Sequence, residues 1–184
     1  MKHLKLYENF LDEDVDVYRN EDNEIESGPS PDLTSRFRGI IKDPKAALDY
    51  MFAGKSIFTI ANPATHTRFT YRVFKKEVDN KTRTLYFVSI LSGPDNVKNY
   101  SFIGTIFDGN HFRLSAKSKI NADSPSVLAF EWLFRTLIGR PDRFNKVEFW
   151  HEEYCGRCGR RLTVPTSIES GYGPECIKII ARGR

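Results

Sequence analysis

The chain has 184 residues, 40% hydrophobic and 28% charged, with 14 Phe, 8 Tyr and 2 Trp, the balance of a folded protein with a real core. No apolar run is long enough to cross a bilayer, Met1 to Phe10 (MKHLKLYENF) lacks the apolar centre of a signal peptide, and 3 Cys make a poor disulfide framework. The reading is therefore a soluble protein of the reducing cytosol, with membrane-spanning, secreted, collagen-like and coiled-coil classes excluded.

The formal net charge of +4 hides an asymmetry. Residues 1–32 carry three basic and ten acidic side chains, net −7, whereas the remaining 152 carry 25 basic and 14 acidic, net +11. A basic body attracts polyanions; an acidic leader is either a solvated, disordered segment or an internal competitor for the same surface. Three units follow: an acidic leader 1–32, an α+β domain 33–150 and a tail 151–184 that holds all 3 Cys.

In chain order, Arg19 to Pro31 has little to bury, so order is expected to begin near Leu33. Asp43-Pro44 reads as an N-cap followed by Pro at the first helical position, opening a helix over Lys45–Phe52 that stops at Gly54. Ser56–Ala61, Arg68–Lys76 and Thr82–Leu91 are rich in β-branched and aromatic residues and read as strands, with turn chemistry at Asp79-Asn80. Ser92 to Asn96 (SGPDN) interrupts the sheet, and Tyr100–Phe107 and His111–Ala116 form a hairpin around Asp108-Gly109-Asn110. Ser124-Pro125 opens a second helix, Ser126–Ile138, so apolar that it should pack across the sheet, and Val147–Trp150 is a last short strand. The expected fold class is α+β: a mainly antiparallel sheet packed with one or two helices, plus a small C-terminal zinc-knuckle or treble-clef-like module.

Strand alternation sorts the charges. Phe69, Tyr71 and Val73 share one face of their strand, and Arg68, Thr70, Arg72, Phe74 and Lys76 the other; likewise Phe112, Leu114 and Ala116 oppose His111, Arg113, Ser115 and Lys117. If the two strands share a sheet, its open face gathers Arg68, Arg72, Lys76, Arg113 and Lys117, with Phe74 for stacking. That is a workable surface for single-stranded DNA or RNA, although solvated outer faces of antiparallel sheets are also normally polar.

Residues 151–176 read HEEYCGRCGRRLTVPTSIESGYGPEC. Cys155-x2-Cys158 has the spacing of a zinc knuckle, with Gly156 and Gly159 allowing the tight turn. Cys176 follows Gly173-Pro174, in the first turn of a helix over Pro174–Ala181, where the dipole favours a thiolate. His151 is the preferred fourth ligand of a structural Cys3His zinc site; His66 and His111 are distant alternatives, and Glu175 should point about 100° around the helix from Cys176. A redox pair at Cys155 and Cys158, or three free thiols, are the competing readings. Arg157, Arg160 and Arg161 add positive charge beside the knuckle.

The run CGRCGRRLTVPTSIESGYGPEC is similar to the C-terminal domain of a family of uncharacterised proteins of bacteriophages and bacteria. These share a CGRCGR-x-LT-x-P-x-SI-x-x-G-x-GP-x-C pattern, often with a His just before it. TRFTYRV, FVSILSGPDN and IGTIFDG in the body look more weakly like the region preceding that tail in some phage members. The resemblance implies metal binding at Cys155, Cys158 and Cys176, with His151, and no established activity.

Enzyme signatures are weak. Gly54-Lys55-Ser56 resembles the end of a phosphate loop, but the earlier glycine that loop requires would stand at Asp49, and the run follows a helix instead of preceding one. Asp108 and His111 read better as a turn builder and an exposed side chain than as an acid–base pair. The resulting expectation is a phage-type accessory protein that binds nucleic acid through the basic face and the zinc tail. The alternative is a protein–protein effector docking on a host or phage replication or transcription component.

Overall fold

The computed structural model describes residues 39–78 and 82–182; the acidic leader 1–32, the expected start of order near Leu33 and the Asp79-Asn80 turn lie outside the described residues. Six strands, β1 (Lys55–Ala61), β2 (Arg68–Val78), β3 (Arg83–Leu91), β4 (Tyr100–Phe107), β5 (His111–Leu114) and β6 (Glu148–His151), form a sheet in the order β5-β4-β3-β2-β1-β6. Every neighbouring pair is antiparallel. The first five strands are a meander, each pairing with the next as short connections favour. β6 arrives only after the helical layer and pairs with β1 at the far edge.

The helices explain why one face is apolar. Helix α1 (Pro44–Met51) starts as its sequence dictates: the Asp43 carboxylate accepts from the Ala46 N–H at 2.7 Å, and Pro44 occupies the first turn. Helix α2 (Pro125–Gly139) buries Val127, Phe130, Leu133, Phe134 and Leu137. Its Phe130 ring lies 5.1 Å from that of Tyr71 on β2 and 5.0 Å from that of Phe112 on β5, centroid to centroid. The Tyr71 hydroxyl donates to the Ser126 carbonyl at 2.6 Å, satisfying its one polar group inside the core. Phe58 and Phe149, both fully buried, stack at 4.5 Å across the strands β1 and β6. Each such aromatic contributes roughly 1.5–3 kcal/mol of burial.

Three features depart from the sequence expectations. β5 ends at Leu114 rather than Ala116, so Lys117 falls in the turn that follows, where its N–H donates to Ser115 Oγ. The β3–β4 register shifts between Val88 and Ser89: Val88 pairs with Gly104 but Ser89 with Phe102, which leaves Ile103 as the extra, fully buried residue of a bulge. A 3-10 turn (Pro141–Lys146) and a short helix α3 (Pro165–Ser170) join the anticipated helices, and the last helix, α4, spans Pro174–Arg182. No helix among the described residues is long and apolar enough to cross a membrane.

At the outer edge of β6 a short piece of chain adds a bridge. Ile40 pairs with Trp150, the Ile41 N–H donates to the Phe149 carbonyl, and the His151 N–H donates to the Gly39 carbonyl, both at 2.8 Å.

Candidate metal centre and open sheet face

Beyond His151 the chain continues the β1 pairing through Glu152, whose N–H donates to the Ile57 carbonyl at 3.2 Å, and then turns at Glu153 with a left-handed φ of 54°. A bridge between Tyr154 and Arg161 closes a hairpin around the knuckle. Inside it the Cys155 N–H donates to the Arg160 carbonyl and the Gly159 N–H to the Cys155 carbonyl, both at 2.8 Å. Gly159 has a φ of +74°, a conformation in which a side chain would be strained. Cys176 stands in the first turn of α4, as its Gly-Pro approach predicts.

This folding brings the sulfurs of Cys155, Cys158 and Cys176 within 4.8 Å of one another, in a group that could hold a metal ion. A tetrahedral thiolate site with bonds of about 2.3 Å places its sulfurs about 3.8 Å apart, so the donor set fits an ion with only a small contraction. Cys155 and Cys176 are buried and Cys158 half-buried. Burial pushes the Cys155 thiol up, but hydrogen bonds from the N–H groups of Gly173, Cys158 and Arg157 outweigh it and bring the thiol below its ordinary value. Burial raises the Cys176 thiol; Arg157, which donates to its sulfur at 3.8 Å, acts in the opposite direction. The apolar support is thin: Leu162 and Ile168 are the buried aliphatics of this cluster, with Tyr172 packed against it.

His151 does not join the sulfur group. Its place opposite Phe58 in the β1–β6 register turns its ring to the core side of the sheet. There Nε2 donates to the Ile168 carbonyl at 2.5 Å, and the ring packs 5.6 Å from that of Tyr50. Nδ1 is buried and has no hydrogen-bond partner among the described residues. The expected Cys3His set therefore meets the geometry in its three cysteines and not in its histidine. His66 and His111, both exposed, are likewise outside the group, and Glu175 pairs with Lys178 at 2.9 Å. Among the described residues, no His, Asp or Glu adds a fourth donor to this group.

The open face of the sheet carries most of the predicted basic set. In successive registers Lys55 lies opposite Phe74, Phe74 opposite Phe87, Phe87 opposite Thr105 and Thr105 opposite Arg113, a row across five strands. Alternation along β2 adds Arg68, Arg72 and Lys76 to the same face. Phe74 is 44% exposed, and the Arg72 guanidinium lies 4.2 Å over the Tyr100 ring. Lys117 is off the strand. In the tail Arg157, Arg160 and Arg161 are exposed; Arg157 reaches the Cys176 sulfur, and Arg161 pairs with Glu153 at 3.7 Å. Asp108 builds its turn, with a φ of 49° and a carboxylate accepting from the Thr84 N–H at 3.2 Å, while His111 is exposed.

Sequence reasoning missed a groove of about 900 Å³ on this face, between β1, β2, β6 and the knuckle. Tyr100, Trp150 and Tyr154 line it together with Glu148, Glu152 and Arg68. Burial raises the Tyr100 phenol, Arg72 lowers it, and Glu152 and Tyr154 raise it further, so these groups lie close enough to feel one another. Alternation in Glu148–His151 shows which residues point outward, but the pairing with β1 that assembles the groove is a long-range event.

Residues 148–180 match a family of unknown function, DUF6011. The match spans β6, the knuckle and most of α4, and leaves the other five strands outside it. No curated protein and no solved structure matches the chain.

Proposed function

We propose that the protein binds single-stranded DNA or RNA across the open face of its sheet, beside a tail stabilised by a structural zinc ion. The observation that carries this reading is the row from Lys55 through Phe74 to Arg113, flanked by Arg68, Arg72 and Lys76: cations spaced along a face that also presents an exposed ring. Arg and Lys meet backbone phosphates, and an aromatic accepts an unpaired base by stacking, which a duplex does not offer.

Zinc is favoured by three thiolates, a soft donor set, in a knuckle-and-helix geometry, and a structural role is favoured by their burial and the small apolar cluster around them. With His151 outside the group, the structural assignment rests on burial rather than on a filled fourth position. The resemblance of the tail to phage and bacterial proteins suits an accessory protein working in a host cytosol.

The test is a mobility assay with labelled oligothymidylate. Four phosphate contacts, from Arg68, Arg72, Lys76 and Arg113, weaken single-strand affinity about 50-fold between about 50 and 200 mM salt, and reversing Arg68, Arg72 and Arg113 to Glu abolishes it. Affinity that is absent at low salt or indifferent to salt overturns the reading. A partner protein captured equally well after nuclease treatment would support the docking alternative instead.

A further inference from the structure

The groove beside the knuckle has a character opposite to that of the face it opens onto. Glu148 and Glu152 line it, Glu153 is paired with Arg161, and Arg68 is the remaining cation among the described residues that line it. Beside Glu148 and Glu152 a phosphate is repelled and a group rich in N–H donors is attracted, whereas Arg68 attracts a phosphate. The carboxylates are also held in place. Thr59 Oγ1 donates to Glu152 Oε1 and shares a 2.6 Å hydrogen bond with Thr70 Oγ1, tying the carboxylate to the sheet floor. Glu148 accepts from Trp150 Nε1 at 3.1 Å and so fixes the indole. With Tyr100 and Tyr154, this indole supplies aromatic walls to the groove.

We infer that this groove is a base-reading subsite that takes guanine, with the Glu152 carboxylate as the reading group. The inference rests on the nucleic-acid reading above and deepens it. An ionised carboxylate offers about four acceptor positions and no donor. Thr59 uses one, which leaves room for two more donors. Guanine alone among the bases presents two neighbouring N–H donors, N1–H and the exocyclic amine, on its Watson–Crick edge. Adenine and cytosine set an acceptor nitrogen beside their amine, and thymine and uracil flank their N–H with two carbonyls, so each brings a lone pair against the carboxylate. Aromatic walls provide the stacking that an unpaired base requires. Arg68 at the groove and Arg72 over Tyr100 stand where the flanking phosphates must pass to reach the basic rows.

The experiment compares the zinc-loaded full chain on oligothymidylate, the same strand with one central dG, and strands carrying dA or inosine there. A single dG tightens binding about tenfold, in keeping with a bidentate base contact. Inosine, which lacks the exocyclic amine, loses most of that gain, and dA gives none. Glu152→Gln removes the dG preference and keeps the oligothymidylate affinity. In parallel, GMP but not AMP changes the fluorescence of Trp150 over the constant background of buried Trp132. Equal affinity for the dG and dA strands, with oligothymidylate still bound, overturns the inference and leaves the sheet reading standing. If no strand binds, the sheet reading fails, and the GMP titration alone decides the groove. An arginine-rich peptide that perturbs Trp150 where GMP does not also overturns the inference, in favour of a cationic protein partner.

Discussion

The Tyr50 hydroxyl lies 2.7 Å from the main-chain carbonyl of Tyr154, joining the end of α1 to the residue before the knuckle, 104 positions later. The same ring fills the space that a side chain at Gly156 or Gly171 would need, with ring atoms 2.9 and 3.0 Å from where those Cβ atoms would stand. One buried phenol therefore registers the cysteine loop against the sheet. Tyr50→Phe keeps the ring but removes the donor, leaving the Tyr154 carbonyl without it at a cost of about 1–3 kcal/mol. Denaturant unfolding checks the loss, and faster alkylation of Cys155 shows that it is felt in the loop.

Removing the proposed ion should separate the tail from the rest. Leu162 and Ile168 cannot support residues 151–182 by burial alone, whereas the sheet and α2 have a large core of their own. Chelation should melt the tail and expose it to protease while the strands stay protected from hydrogen exchange. Metal analysis should find one zinc ion per chain, and Cys176→Ser should abolish it. A metal-free chain with a protease-resistant tail would contradict this.

Acid acts through His151. Burial lowers its imidazole, and this outweighs the Ile168 carbonyl, Glu153 and Glu152, which raise it. The folded state thus prefers the neutral ring. The stability it contributes is complete above the ordinary imidazole value of about 6.5 and is lost as pH falls from there through the lowered folded value, by at most about 1.4 kcal/mol per pH unit. His151→Gln should flatten that slope between pH 7.5 and 5 in denaturant titrations. Both proteins carry the same cysteines, so the difference isolates the ring. Because His151 bonds Ile168 and stays outside the sulfur group, the variant should retain its metal.

Gly104 is required by close approach, with no unusual φ. A Cβ there would stand 2.5 Å from the Arg113 carbonyl and 2.7 Å from the Phe112 ring, where β4 and β5 meet. Gly104→Ala must displace the β5 backbone and should destabilise the protein by about 1–3 kcal/mol, read as a lower denaturation midpoint at unchanged m-value.

Much of the fold was legible because it is local. Asp43-Pro44 caps α1, alternation along Arg68–Lys76 separates Tyr71 and Val73 from Arg72 and Phe74, and Cys-x2-Cys with Gly-Pro-x-Cys brings three sulfurs together. What could not be read depends on strand order. The pairing of β6 with β1 places His151 opposite Phe58 and sends it to the core, although its position four residues before Cys155 made it look like a ligand. That pairing also brings Trp150 and Glu152 near Tyr100, residues of no shared local pattern. The bulge at Ile103 and the early end of β5 reflect tertiary fit that alternation does not encode.

The strip Gly39–Ile41 that borders β6 has a bearing on how these molecules behave when crowded. Its hydrogen bonds to Phe149 and His151 occupy donors and acceptors that a bare sheet margin would offer to a neighbour's strand, while the opposite margin, β5, is only four residues long. With one border hemmed and the other cut short, edge-to-edge stacking into fibrils has little template to start from, even though the sheet between is rich in β-formers.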